Sequence, residues 1–177
     1  MILVSNHLLR LGSIDIKPDN VIRINCAWVD GVAGLEKALD IPYKVFLDYP
    51  TGRTKPPAPR LTLDEAIEIA NRHSNVEWFA VSNAESYESM AQLRVKLRWR
   101  IELVPKIETR RGVCGLHSII LGAKTGHIML DKEDLFDNVG RDPEAYDSLI
   151  RMVRSKCKDT GTKIFELSGV IFDDGQQ

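Results

Sequence analysis

The chain has 177 residues, 44% hydrophobic and 28% charged, and its 24 Lys+Arg against 25 Asp+Glu give a formal net charge of -1. That length supports one hydrophobic core, and the composition excludes a collagen-like or largely disordered chain. With no global field to recruit nucleic acid or an anionic membrane, any anionic ligand has to be held locally.

No apolar run approaches the roughly 20 residues that span a bilayer, and the opening MILVSNHLLRLG lacks the basic region and cleavage site of a signal peptide, so a cytoplasmic protein with no membrane partner is expected. Cys26, Cys114 and Cys157 are widely spaced and show no C-x-x-C pairing. They read as small buried hydrophobes rather than a disulfide framework or a zinc site.

In chain order, short apolar runs predict strands at 2–5, 21–28, 43–48, 77–82, 101–108, 127–130 and 163–167. Most are near-continuous rather than alternating, as expected for a parallel sheet covered on both faces. Helical patterns lie between them, at 32–39, 86–97 and 116–121. A stronger one opens at Thr62, which stands at capping-box spacing from Glu65 and precedes Leu63, Ala66, Ile67 and Ala70 on one face. The last opens at Asp142-Pro143-Glu144, a cap followed by proline at the first helical position, and carries Ala145, Leu149, Met152 and Val153 toward a stop at Gly161.

The alternation of strand and helix predicts a single α/β domain over 1–177, a (β/α) TIM-type barrel with about seven recognisable strands, incomplete or closed by oligomerisation. Residues 55–60, Lys-Pro-Pro-Ala-Pro-Arg, read as a stiff connection after the third strand. Trp28, Trp78 and Trp99 are expected in the core. His7, His73, His117 and His127 have no ligand spacing. Arg94, Lys96, Arg98, Arg100, Arg110 and Arg111 read as a solvated basic face, with no nucleic-acid partner.

In a barrel, chemistry gathers at the carboxyl ends of the strands. Charged and polar residues fall there on several strands: Arg23 and Asn25, Asp48 with Arg53 and Lys55, Ser82, Lys106 and Glu108, and the stretch from Asp131 to Asp134. Glu108 and Asp134 are acidic oxygen donors at the ends of adjacent predicted strands, a common way to hold Mg²⁺ or Mn²⁺. Lys106, two residues before Glu108, points into the same mouth and can neutralise an anionic substrate oxygen.

These residues carry a resemblance. VPKIETRRGVCGLHSII followed by GHIMLDKEDL resembles the pyruvate kinase segment K-I-E, a Gly, N-L-x-x-I and then I-M-V-A-R-G-D-L. VIRINCAW is similar to that family's A-R-x-N-F-S-H strand, KVFLDYPTGR to its L-x-D-x-x-G-P-K, and LTLDEAIEIANRHSNVEWFAVSNAE to L-T-E-K-D followed by V-D-x-x-A-x-S-F. The I-E-T-x-x-G and D-L-x-x-D-L-G motifs of citrate lyase and short-chain aldolase barrels resemble residues 107–112 and 134–140. Both families belong to the phosphoenolpyruvate/pyruvate-binding barrel group.

The resemblance implies a divalent-metal-dependent enzyme acting on a 2-oxo acid or enol phosphate, such as pyruvate, phosphoenolpyruvate or oxaloacetate, through a metal-stabilised enolate. It makes Glu108 and Asp134 the metal ligands, Lys106 the cation at the developing enolate and Arg23 a phosphate contact. Asn25 and Asp48 match positions near the pyruvate kinase monovalent-cation site, although Cys26 and Ala27 replace its Ser and His. Arg53 falls on that family's Lys, Lys55 on its Arg, Ser82 on its strand-four Ser, and Ser168 on a Thr that transfers protons or orients water.

The departures count against ATP formation. Residues 55–60 stand where pyruvate kinases insert a lid domain, and Glu133 replaces a Gly beside the substrate carboxylate. The alternatives are a carbon–carbon lyase or aldolase of the citrate lyase type, and a non-catalytic barrel scaffold with a regulatory or assembly role. The absence of a recognisable eighth strand predicts a homo-oligomer. From sequence alone, Lys106→Ala is expected to spare metal affinity.

Overall fold

A computed structural model describes residues 3–5, 20–52 and 55–166. The chain gathers into two compact units, one reaching to Phe79 and the other beginning at Ala80. No helix among the described residues is long and apolar enough to cross a membrane.

In the first unit, β1 (Leu3–Ser5), β2 (Val21–Asn25) and β3 (Lys44–Tyr49) pair in parallel, each beside the next in chain order. Arg23 registers with Phe46 and Asn25 with Asp48, and residues two apart on a strand share a face. Arg23, Asn25 and Asp48 therefore project from one side. The expected strand through position 28 stops at Asn25, because the Asn25 side chain accepts a hydrogen bond from Ala27 N at 2.9 Å and turns the chain into a 3-10 turn, Cys26–Trp28. Trp28 leaves the core as a result and is 51% exposed.

Helices α1 (Gly31–Leu39) and α2 (Leu63–Arg72) pack on each other. The capping box at α2 is present in full: Glu65 N donates to Thr62 Oγ1 at 3.2 Å, and Thr62 N donates to Glu65 Oε2 at 2.7 Å. Such a cap contributes about 1 kcal/mol, and Ala66, Ile67, Ile69 and Ala70 on the buried face hold the helix down. Asn75 fixes the entry to β3 by donating to the carbonyls of Leu39, Ile41 and Tyr43 at 2.9, 3.0 and 3.3 Å.

Strand β4 (Val76–Val81) leads into the second unit, where α3 (Tyr87–Lys96), β5 (Glu102–Ile107), α4 (Arg110–Cys114), α5 (Leu116–Ala123), β6 (His127–Leu130), α6 (Lys132–Asn138), α7 (Pro143–Thr160) and β7 (Lys163–Glu166) follow. β5 pairs with β6 and β6 with β7, both in parallel. β5 and β6 are buried over most of their length, as the continuous apolar runs require, whereas in β7 Lys163 is exposed and Ile164 and Phe165 are half-buried. Two helices are additions to the expected set. α4 and α6 are short turns at the carboxyl ends of β5 and β6, too brief to show a helical apolar period.

α7 begins as expected, with Asp142 Oδ1 accepting from Glu144 N at 3.0 Å and Ala145 N at 3.2 Å, and it ends at Gly161 with φ 68°. Its buried stripe is Leu149, Ile150, Val153 and Cys157, with Met152 outside it. Three other expectations change. Trp99 is 94% exposed, Trp78 is only half-buried, and Cys114 lies at the surface while Cys26 and Cys157 are buried. Within the expected basic face, Arg94 has a structural task, its guanidinium donating to the carbonyls of Leu97, Arg98 and Ile101 at the end of α3.

At the amino end of β5, Glu102 accepts from Thr125 Oγ1 at 2.7 Å and Gly126 N at 2.8 Å and faces His127 Nδ1 at 2.9 Å. Burial alone would push its carboxyl up, but these partners outweigh burial and hold it below its ordinary 4.5. A depressed carboxylate stabilises the fold above the unfolded value and loses that contribution as pH falls through the folded one. Glu102→Gln should therefore lower the unfolding temperature at pH 7. Thermal scans should show the gap to the parent protein closing as pH drops below 4.5.

Candidate functional site

Lys106 and Glu108 stand two apart at the end of β5 and so face the same way. Both are buried, each 6% exposed. Lys106 registers with Met129 on β6, which sets Asp131, two residues further on, level with Glu108. The backbone secures this arrangement, since Asp131 N donates to Ile107 O at 3.2 Å. The Lys106 ammonium then lies 2.7 Å from Glu108 Oε1 and 3.2 Å from Asp131 Oδ2.

Residues after β4 complete the surroundings of Glu108. Ser82 Oγ donates to its Oε1 at 3.3 Å, and Asn83 N donates to its Oε2 at 2.9 Å. Asn83 reaches that position in the left-handed region, at φ 54°, where Asn is tolerated better than most side chains. Thr109 Oγ1 accepts from Gly112 N at 3.0 Å and donates to Glu85 Oε1 at 2.8 Å, starting α4 directly after Glu108. A Cβ on Gly112 would stand 2.8 Å from Ala84 O, so glycine lets α4 pack onto the segment that holds Glu108.

Asp131 has two tasks. While Oδ2 faces Lys106, Oδ1 accepts from Asp134 N at 3.3 Å and caps α6. The cap brings Asp134 back over the strand ends, and one carboxylate oxygen each from Glu108, Asp131 and Asp134 lies within 4.8 Å of the others. Burial pushes the Glu108 carboxyl up, and Asp131 adds to that, while Lys106 and Asn83 N–H pull it back; the net direction is up. With all three carboxylates ionised, their charges exceed that of the one ammonium by two.

This donor set fits a hard divalent cation. All three donors are carboxylate oxygens, and oxygens about 2.1 Å from one Mg²⁺ sit about 3 to 4 Å apart, which small side-chain rotations would reach. The cluster also carries the excess negative charge that such an ion neutralises.

Four of the residues expected from sequence, Ser82, Lys106, Glu108 and Asp134, thus meet in the second unit. Arg23, Asn25 and Asp48 meet in the first. There the Arg23 guanidinium pairs with Asp48 through Nε, at 3.1 Å from Oδ2, and through a terminal nitrogen. Asp48 is fully buried, and Asn25 caps the 3-10 turn. Lys55 is exposed in the connection after β3. Arg53, Ser168 and the residues after Ser168 lie outside the described residues. Glu133 is exposed, in contrast to the half-buried Asp131 and Asp134.

Asp131 is the residue that sequence reasoning passed over as a ligand. Its signal is an Asp at the end of a strand, three residues before a second Asp, which is cap spacing. Only the parallel register shows that the same side chain is level with Glu108.

No protein-family model matches the sequence, and no curated protein matches it by sequence. Solved structures do match. An HpcH/Hpal aldolase/citrate lyase family protein from Burkholderia cenocepacia gives a TM-score of 0.65 at 12% identity, over 84% of this chain and 71% of its own. A citrate synthase, SbnG, gives 0.62 at 13% identity, over 85% and 68%. The protein CitE from Mycobacterium tuberculosis, in complex with magnesium and pyruvate, gives 0.61 at 16% identity, over 87% and 66%. Other structures of that protein hold magnesium with acetate, or with acetoacetate and coenzyme A. At such identities the likeness establishes the fold. The HpcH/Hpal protein bears the citrate lyase/aldolase description that the sequence reading gives as its alternative to the pyruvate kinase branch.

Proposed function

We propose that the chain is a divalent-metal-dependent carbon–carbon lyase of the citrate lyase/aldolase type, acting in the cytoplasm on a 2-oxo acid such as pyruvate or oxaloacetate. The observation that carries the proposal is the convergence of Glu108, Asp131 and Asp134 on one point, with a buried lysine beside them. These three carboxylates would hold Mg²⁺ or Mn²⁺, which supplies positive charge where negative charge develops on the substrate oxygens.

The chain's own residues do the rest. Lys106 provides a second positive charge, able to bind the substrate carboxylate or the enolate oxygen left when the carbon–carbon bond breaks. Ser82 and Asn83 N–H orient Glu108 from outside. Ser168 remains the candidate for moving a proton through its hydroxyl. Arg23 reaches a substrate phosphate only by leaving Asp48, so the cluster in the second unit is the stronger candidate. Phosphoryl transfer to a nucleotide is set aside, because it depends on positioning and water exclusion for which the connection at 55–60 offers no lid.

A non-catalytic scaffold is the competing reading. One observation favours it: the Lys106 ammonium already neutralises part of the acidic cluster. Titration of Mn²⁺ with and without oxalate, an enolate mimic, decides between them. The enzyme reading expects millimolar or tighter Mn²⁺ binding that oxalate strengthens, and no Mn²⁺ binding under either condition would overturn it. The homo-oligomer expected from sequence belongs to this proposal too, and a monomer by light scattering at micromolar concentration would remove it.

A further inference from the structure

The position of Lys106 deepens the proposed function, and the inference rests on that reading. Its ammonium touches Glu108 Oε1 at 2.7 Å and Asp131 Oδ2 at 3.2 Å, so it uses oxygens from two of the three carboxylates that form the metal site. A divalent ion held by these carboxylates would come within about 2.1 Å of an oxygen of each, and so into the space beside the ammonium. Two cations cannot share that space without strong repulsion inside a poorly screened interior.

We infer that Lys106 is a tethered competitor for the metal site, and that a 2-oxo acid admits the divalent ion by offering the lysine a new anion. The tether follows from the strand: Lys106 and Glu108 are fixed two residues apart on the same face of β5. The need for a new anion follows from burial. Lys106 is buried, its side chain only 7% exposed, and a buried charge moved from its partners needs another partner. The substrate carboxylate supplies it. Metal and acid then bind as a coupled pair, each strengthening the other by the same factor.

The groups around the lysine fit this role. Glu108 keeps Ser82 Oγ and Asn83 N as partners at 3.3 and 2.9 Å, and Asp131 keeps Asp134 N at 3.3 Å. Both carboxylates therefore stay oriented when the ammonium leaves. Lys106 is a positioning residue for metal entry before it becomes a substrate contact.

Calorimetric titration of the full chain with Mn²⁺, alone and with oxalate, tests the inference. Lys106→Gln removes the charge and keeps a hydrogen-bond donor. It should bind Mn²⁺ alone at least tenfold more tightly than the parent, and the enhancement by oxalate should shrink at least fivefold. Lys106→Arg keeps the charge on a larger fork that can grip both carboxylates, and it should bind Mn²⁺ at least threefold more weakly. The Arg variant retains the ion pairs, so it keeps the test decisive if the Gln variant fails to fold.

If Lys106→Gln binds Mn²⁺ no tighter than the parent, or Lys106→Arg binds it as well as the parent does, the competition is refuted while the metal site stands. If neither the parent nor any variant binds Mn²⁺, the proposed function falls and the inference falls with it. Tight binding by Lys106→Gln beside a parent that stays inert even with oxalate keeps the competition but overturns admission of the ion by the acid, and assigns the natural chain to the scaffold reading.

Discussion

Asp134→Asn should lower Mn²⁺ affinity at least tenfold, roughly 1.4 kcal/mol, while leaving the fold in place. The substitution preserves size and removes one charge from a half-buried side chain at the start of α6. The cap on that helix is unaffected, because it uses Asp134 backbone N rather than its carboxylate. Glu108→Gln should weaken Mn²⁺ binding by a similar or larger factor, and it should also destabilise the protein. Glu108 is the nearer of two carboxylates on a buried ammonium. Removing one partner of a buried pair costs about 3–5 kcal/mol when nothing replaces it. Here Asp131 remains, so about 1–3 kcal/mol is expected. Calorimetry and thermal unfolding on the two variants separate the effects. Unchanged Mn²⁺ affinity in both would reduce Glu108 to a structural partner of Lys106 and leave the Asp134 carboxylate without a part in metal binding.

On sequence alone the two carboxylates are equivalent and Lys106 stands apart from the metal. The difference lies in distances across neighbouring strands. The alternation Lys106-x-Glu108 is local and could be read as two groups on one face. That Asp131 is level with Glu108, and that Lys106 reaches both, depends on the register of β5 against β6, which no local pattern in either strand specifies. The expectation that Lys106→Ala spares metal affinity takes no account of this contact, and the competition inferred above expects tighter binding instead.

The same division runs through the fold. α2 and α7 were legible because their signals are local: a Thr and a Glu three apart, or Asp-Pro at a start and a left-handed Gly at an end. The strands were legible because burial on both faces demands apolar runs. The end of β2 was not, since Ile24-Asn25-Cys26-Ala27-Trp28 continues the apolar pattern and only the Asn25 side chain, folding onto Ala27 N, breaks it. Arg23 reads as an available cation until the pairing of β2 with β3 places it on Asp48. Trp99 was assigned to the core by residue type alone, yet it follows the end of α3 in a turn whose buried member is Leu97.

Gly122→Ala should produce a large loss of stability at a position with no expected chemical role of its own. Gly122 lies within α5, where alanine is ordinarily the better helix former by about 1 kcal/mol. Its backbone is not left-handed, so conformational freedom does not explain the glycine. Close approach does. An added Cβ would stand 2.5 Å from Tyr87 O and 3.2 Å from both the carbonyl carbon and Cα of Tyr87, at the first residue of α3. Every clashing atom is backbone, so relief requires α3 and α5 to move apart rather than a side chain to turn. Overpacking of this kind costs about 1–3 kcal/mol or more, which exceeds the propensity gain. For a chain of this size the midpoint should fall by several degrees, at roughly 2–4 °C per kcal/mol. Gly126→Ala is the control. Its nearest neighbour would be Glu102 Oε1 at 3.7 Å, ordinary contact, and a change within about 0.5 kcal/mol is expected. The start of α3 follows directly on the segment whose Asn83 N–H holds Glu108. A displaced α3 should therefore weaken Mn²⁺ binding in Gly122→Ala as well. Equal melting temperatures for this variant and the parent would show that the two helices are not in backbone contact.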